Sequence, residues 1–433
     1  MYLSYPKFIS WIIALECVFG AAEPPVLQRH PANQPRRGLG HVNAAYFVNW
    51  GIYQRNFHPQ DLPASKLSHI LYAFMNVRSD GTVFTEDTWA DLEKHYQGDS
   101  WAESTDNVYG CVKQLFLLKK ANRKLKVMLS IGGWTWSSNF AAAASTATTR
   151  STFAKSAVTL MKDWGFDGID IDWEYPSSGQ DADNMVLLLQ AVRDEMDLYA
   201  TKFAPGHHFQ LSIAAPAGPE HYRKLHLSKL ADILDHVNIM AYDYAGSFGN
   251  VAGHTANLYA NKDLPKSTPF NTDDAIKAYI EGGVPPGKLV LGMPIYGRSF
   301  LETPGLGETY SGVGLANPGL GSWEAGIWDY SALPKEGAVI NYDRKARAYY
   351  SYNSDTRELV SFDPPGAVRN KVCYLQRLGL GGAMFWEASG DKVGPESLVE
   401  TCFEALGIID QTENWLDYPD SRFHNIVSGM ESE

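Results

Sequence analysis

Eight short apolar runs of strand length recur along the chain, most of them followed by a stretch of helical spacing, and this rhythm constrains the fold more than any other feature. The runs occupy 43–50, 69–76, 126–133, 168–174, 210–215, 237–243, 289–295 and 382–387, with helical stretches at 150–164, 180–203, 272–282 and 366–378. Strands alternating with helices pair in parallel, because a parallel neighbour is reached only by a crossover long enough to hold a helix. Asn271-Thr272-Asp273-Asp274 opens one of those helices in capping style. Eight such units in 433 residues predict an α/β fold of the TIM (β/α)8 barrel type. The interval between the seventh and eighth runs, about 85 residues, is too long for a plain loop. It holds a Gly-rich stretch and two tyrosine-rich or β-branched runs, which predict a small α+β insertion domain at 298–362. The barrel is then 38–297 and 363–433.

The fourth run ends in D-G-I-D-I-D-W-E-Y-P, residues 167–176. Successive strand side chains point to opposite faces, so Asp170, Asp172 and Glu174 share one face and Ile169, Ile171 and Trp173 the other. Carboxylates spaced about 6.6 Å apart on one face repel unless they share protons, bind a cation or meet a substrate. Tyr175-Pro176 is expected to stop the strand, because proline has no N–H to donate and restricts the residue before it. In a TIM barrel the carboxyl ends of the strands carry function. Polar and aromatic residues stand at several of those ends: Ser130 and Trp134, Glu174, Met240, Tyr242 and Asp243, Arg298, and Trp386.

With L-S-I-G-G-W on the third strand, D-G-I-D-I-D-W-E-Y-P on the fourth, M-A-Y-D on the sixth, G-M-P-I-Y-G-R-S-F after the seventh and G-A-M-F-W-E-A-S on the eighth, the chain resembles glycoside hydrolase family 18. Within that family it resembles the secreted fungal endochitinases, over about residues 41–425. The resemblance implies a retaining, substrate-assisted hydrolysis of β-1,4-linked N-acetylglucosamine, in which the substrate's acetamido oxygen replaces a protein nucleophile. It assigns Glu174 as general acid and then base, Asp172 as the partner of the acetamido N–H, and Tyr242 as the donor to the acetamido carbonyl. Asp170 shares a proton with Asp172, with Ser130 and Tyr46 supporting it. Trp386 floors the sugar at the cleavage point and Trp134 stacks on the leaving side. Met240, Ala241, Asp243 and Arg298 line the wall, and Thr135, Tyr175 and the Gly132-Gly133 turn complete the pocket. Asp167, Trp164 and Trp173 read as structural, whereas Trp136, Trp323 and Trp328 stay open. The implied partners are chitin and chitooligosaccharides; no cofactor and no metal are implied. Three other readings remain: an endo-β-N-acetylglucosaminidase acting on glycans, a non-catalytic chitin-binding relative, and an all-oxygen divalent-metal site at Asp170, Asp172 and Glu174.

The amino terminus carries Lys7 and then a short apolar run closing on Ala21-Ala22, the form of a secretory signal peptide, residues 1–22. The proline-rich 23–37 ends in Arg36-Arg37 and reads as a propeptide removed at a dibasic site, so the chain is expected to be secreted and extracellular. Residues 1–37 carry a net +2, which takes the formal charge from −12 to −14 on their removal. Such an acidic chain is a poor partner for nucleic acid or an anionic membrane, and a monomer is expected. Cys17 lies in the leader, leaving Cys111, Cys373 and Cys402 with no Cys-x-x-Cys or Cys/His spacing that would hold zinc. Cys373 and Cys402 fall on stretches flanking the eighth strand, where neighbouring outer helices could bring the two sulfurs together; helix phase decides whether they pair.

Overall fold

Alternation along each strand decides which side chains enter the barrel and which meet the helices. The computed structural model describes residues 40–101 and 106–430; the expected signal peptide and propeptide lie outside the described residues. Eight parallel strands form the barrel: β1 (Val42–Val48), β2 (His69–Val77), β3 (Lys126–Gly132), β4 (Gly168–Asp172), β5 (Gln210–Pro216), β6 (His236–Met240), β7 (Leu289–Pro294) and β8 (Gly382–Trp386). The sheet closes because β1 pairs with both β2 and β8. Around it lie α1 (Gly110–Ala121), α2 (Ala147–Asp163), α3 (Gly179–Phe203), α4 (Leu227–Ile233), α5 (Thr272–Glu281), α6 (Pro365–Leu378) and α7 (Leu398–Leu406). No such helix follows β1. Residues 49–68, broken by Gly51, Pro59 and Pro63, run instead through the 3-10 turns Asn49–Ile52 and Pro59–Asp61.

The two phases of each strand separate cleanly. Ile169 and Ile171 on β4 point outward into the large core shared with the helices, where Trp164 is buried and Trp173 stacks on Phe140 at 5.5 Å. The opposite phase supplies a smaller interior cluster that includes Tyr46, Leu71, Met128, Val290 and Met384. Helix starts follow the local sequence: Thr146, Ser178 and Asn271 each accept a bond from the amide three residues on, capping α2, α3 and α5.

Three expectations change. β4 stops at Asp172, two residues before Glu174, because the Asp172 carbonyl is taken by the Gly133 amide at 2.9 Å and the chain then leaves the ladder. β6 stops at Met240, and Asp243 lies in the left-handed region at φ 59°, where a strand cannot continue. Cys402 is a free buried thiol, so Cys373 and Cys402 do not pair. Cys402 faces the core from α7, while Cys373, half-buried on α6, is disulfide-bonded but not to Cys402.

Between β7 and β8 lies a five-stranded antiparallel sheet, with Tyr296–Phe300 flanked by Ile327–Asp329 and Glu358–Ser361, followed outward by Ala348–Asn353 and Val339–Asp343. The expected α+β insertion is thus a β-sheet that begins at Tyr296 and carries no α-helix among the described residues, and with the barrel it forms one compact body.

The far end of the barrel is tied to the carboxyl-terminal segment. Lys119 is fully buried, its Nζ 2.9 Å from Asp167 and donating to the carbonyls of Gly165 and Trp415, while Asp167 also accepts from the Val127 and Trp415 amides. Asp167 therefore serves the scaffold, as its sequence position suggested. Removing one partner of a buried pair strands the other charge, so Lys119→Ala is expected to cost about 3–5 kcal/mol of stability, read as a lowered urea midpoint.

Candidate active site

The site grows from the inward phase of β4, whose carboxylates stand in progressively more open surroundings. Asp170, deepest in the barrel, accepts four hydrogen bonds: from Tyr46 at 2.9 Å, Ser130 at 2.8 Å, Ser212 at 2.6 Å and Asn238 at 3.2 Å. These donors come from β1, β3, β5 and β6. Burial pushes the Asp170 carboxyl up from its ordinary range, and the four donors oppose that shift.

Asp172 is buried and its Oδ1 has no hydrogen-bond partner. Burial is the first cause that holds its carboxyl well above the usual value, with the charges of Glu174 and then Asp170 adding to it. An unpaired buried carboxylate oxygen is costly, so the position is poised for a donor.

Glu174 lies beyond the strand, half-buried, with its amide donating to the Ser137 hydroxyl at 2.7 Å. That hydroxyl in turn bonds the Gly133 carbonyl at 3.0 Å, so the turn after β3 fixes the backbone that carries Glu174. Burial raises the Glu174 carboxyl to about 7; the Tyr175 hydroxyl opposes the rise and the charge of Asp243 assists it. The Gly132-Gly133 turn admits no side chain: at φ 112° and 79°, a Cβ would meet the Asp172 carbonyl oxygen at 2.2 Å and the Phe74 ring at 2.5 Å.

The sixth strand brings the wall. Tyr242 is half-buried, and burial followed by the nearby charges of Asp172, Asp243 and Glu174 keeps its hydroxyl protonated. Asp243 Oδ1 accepts from the Tyr296 hydroxyl at 2.5 Å and from Arg298 Nε at 2.6 Å, which locks the β6 exit to the inserted sheet. Met240 is half-buried beside them and Ala241 is fully buried. Trp386 is held edge-on to Tyr46 at 5.1 Å and stacked on Phe74 at 5.7 Å. Trp134 is 77% exposed, with Thr135 exposed beside it on the 3-10 turn Trp134–Asn139, and Tyr175 stacks on His221 at 4.2 Å.

The expected residues sit on β1, β3, β4, β6 and β8 and on the exits of β3, β4 and β6, with Arg298 on the inserted strand Tyr296–Phe300. The sequence reading missed Ser212, Asn238, Ser137, Phe74 and Tyr296. Ser212 and Asn238 had a readable signal, each being a polar residue in the inward phase of an otherwise apolar strand. Ser137, Phe74 and Tyr296 had none, because their contacts form only across strands and turns.

The structure is a closed parallel barrel with a row of carboxylates leading to its carboxyl-terminal mouth. Residues 42–391 match the family model described as glycosyl hydrolases family 18. Chitinase 1 of Aphanocladium album is 60% identical over 424 residues, covering 98% of each chain. Endochitinase 1 of Metarhizium robertsii is 59% identical over 426 residues, covering 98% of this chain and 99% of that one. Among solved structures, the catalytic domain of psychrophilic chitinase B from Arthrobacter TAD20 superposes with a TM-score of 0.78 at 29% identity, over 87% of this chain and 98% of that one. The chain belongs to glycosyl hydrolase family 18 and is a glycoside hydrolase.

The pH dependence of turnover tests the electrostatics. A group that must donate a proton works below its pKa, so kcat/KM should fall on an alkaline limb near 7. The Tyr175 hydroxyl stabilises the charged form of Glu174; Tyr175→Phe should therefore move that limb to higher pH. A limb that stays in place or moves down, read from kcat/KM against pH on chitin oligomers, contradicts this assignment.

Proposed function

We propose that this enzyme is a secreted chitinase that hydrolyses the β-1,4-N-acetylglucosamine linkages of chitin and chitooligosaccharides with retention, the substrate's own acetamido group acting as nucleophile. The observation that carries the reading is Asp172: a buried carboxyl with one unpartnered oxygen, set between a fully hydrogen-bonded Asp170 and a Glu174 whose carboxyl burial raises to about 7. The other carboxylates near Glu174 are spoken for. Asp170 meets four donors and Asp243 is engaged by Tyr296 and Arg298, so neither is free to attack an anomeric carbon. The same saturation of Asp170 argues against a divalent-metal site on this row. The names of the relatives, chitinases and endochitinases, support chitin as the substrate.

Glu174 gives its proton to the glycosidic oxygen as the C1–O bond breaks. The acetamido carbonyl oxygen, oriented by a hydrogen bond from Tyr242, closes on C1 and forms an oxazolinium ion. The acetamido N–H donates to Asp172 Oδ1, whose negative charge steadies the cation, with the fully hydrogen-bonded Asp170 beneath it. Glu174, now a carboxylate, removes a proton from water as it attacks C1 and opens the ring, which regenerates the acid and leaves the β anomer. Trp386 floors the reacting sugar, exposed Trp134 offers its face to the leaving side, and Met240, Ala241, Thr135 and Arg298 frame the pocket. The sheet inserted at 298–362 walls one side of a groove suited to a linear polymer. Residues 1–22 and 23–37 serve as signal peptide and propeptide, and the chain acts as an extracellular monomer.

Glu174→Gln keeps the shape and loses the proton, so kcat should fall by about 10²- to 10⁴-fold while oligosaccharide binding persists. A variant retaining more than about a tenth of wild-type kcat contradicts the role. Proton NMR in the first minutes of chitin-oligomer hydrolysis should show the β anomer first, and a fully deacetylated polymer should resist cleavage. An initial α signal would indicate direct attack by water and overturn the parts given to Asp172 and Tyr242. Comparing products from chitin oligomers with those from an N-glycan separates this activity from that of an endo-β-N-acetylglucosaminidase.

A further inference from the structure

One half-buried cation outside the catalytic row joins three parts of the chain that are distant in sequence. Arg55 lies in the connection after β1, five residues beyond Trp50. Its Nη1 donates to both oxygens of Asp329, at 3.0 and 2.9 Å, and approaches Glu387 Oε1 at 3.7 Å. Asp329 ends the inserted strand Ile327–Asp329, and Glu387 directly follows Trp386 on β8. The Arg55 guanidinium also lies 4.8 Å from the centroid of the Trp323 ring, and the Trp323 Nε1–H donates to Asp329 at 2.8 Å. Glu387 is fastened from the other side by the Ser389 hydroxyl at 2.6 Å and the Ser389 amide at 3.0 Å. Arg55, Asp329 and Glu387 keep only 17%, 11% and 11% of their side-chain surface exposed, so this is a largely desolvated cluster rather than a solvated surface pair.

These contacts have a geometric consequence for the cleft. Trp386 stacks on Phe74, and Phe74 lies 6.2 Å from the Trp50 ring, so the floor and the β1 loop meet on one side through aromatic contacts. On the other side Arg55 joins the β1 loop to the inserted sheet and to the residue just past Trp386. We propose that Arg55 is a positioning residue for polysaccharide binding, a three-way clamp that sets the spacing between the β1 loop, the inserted sheet and the tryptophan floor; this rests on the function proposed above. Arg55 touches neither the acid nor the row beneath it, so its influence runs through the placement of Trp50, Trp323 and Trp386. Aromatic surfaces that grip sugar rings do so in both the ground and transition states, and their misplacement registers in KM.

The test is steady-state hydrolysis of chitin oligomers by Arg55→Ala, Arg55→Lys, Asp329→Asn and the pair Arg55→Ala with Asp329→Asn. For Arg55→Ala, KM should rise about tenfold with kcat held within about threefold. Arg55→Lys keeps the charge but loses the planar face over Trp323, so it should recover part of that loss. Adding Asp329→Asn to Arg55→Ala should cost clearly less than the sum of the two single effects, since the Arg55–Asp329 contact is severed by either change. A folded Arg55→Ala enzyme with wild-type KM, or strictly additive effects in the double variant, overturns the clamp. Should Arg55→Ala fail to fold, Arg55→Lys and Asp329→Asn carry the same KM-against-kcat comparison. A wild-type enzyme that leaves chitin oligomers uncut sinks the proposed function instead; tryptophan fluorescence quenching by the oligomer then reads affinity in the same variants, and equal affinities overturn the clamp.

Discussion

Desolvating a carboxylate inside a closed barrel costs several kcal/mol, and at Asp170 that cost is offset by donors drawn from β1, β3, β5 and β6. The arrangement binds four strands to one atom pair at the barrel's centre. It also fixes where the next two residues of the same phase must lie. Asp172 cannot drift without carrying β4 out of register with β3, where Ser130 lies opposite Asp170 and Gly132 opposite Asp172, and Glu174 is held just beyond by its amide on Ser137. The chemistry at the mouth is therefore anchored from below.

From that anchor the environment changes in steps along one strand. Asp170 has all its donors, Asp172 has an oxygen with none, and Glu174 stands off the strand with its amide tied to Ser137. Burial pushes each carboxyl upward, but what surrounds it decides its use. A carboxyl near 7 can give and take a proton at ordinary pH, whereas one saturated with donors serves as an electrostatic fixture. Around this row the exits of β6 and β7 are held together by Asp243, Tyr296 and Arg298. The inserted sheet is thus joined to the barrel at the point where it faces the site.

Much of this was legible in the order of the residues. All eight strands fall where periodicity put them, because an apolar run of five to nine residues between helices has one stable placement in a parallel sheet. The carboxylate row was readable for the same reason, as period two places Asp170 and Asp172 on one face whatever lies around them. The errors share a cause. The ends of β4 and β6, the thiol state of Cys402, and the parts played by Ser137, Phe74 and Tyr296 depend on which atoms from other segments arrive beside them. No local pattern encodes that.

What the sequence by itself determined is the alternation of strands and helices, the phase of each strand and hence the set of side chains that can face the interior, since these follow from short-range geometry. The tertiary structure alone decided how those side chains are used. Closing the barrel brought Tyr46, Ser130, Ser212 and Asn238 onto Asp170 and left Asp172 Oδ1 unpaired. Folding the inserted sheet against the β1 loop gave Arg55 two carboxylates and a tryptophan face, more than 260 residues away in the chain. Hydrogen bonds and ion pairs act over a few ångströms, so their partners are set by where the backbone returns in space and not by spacing along it.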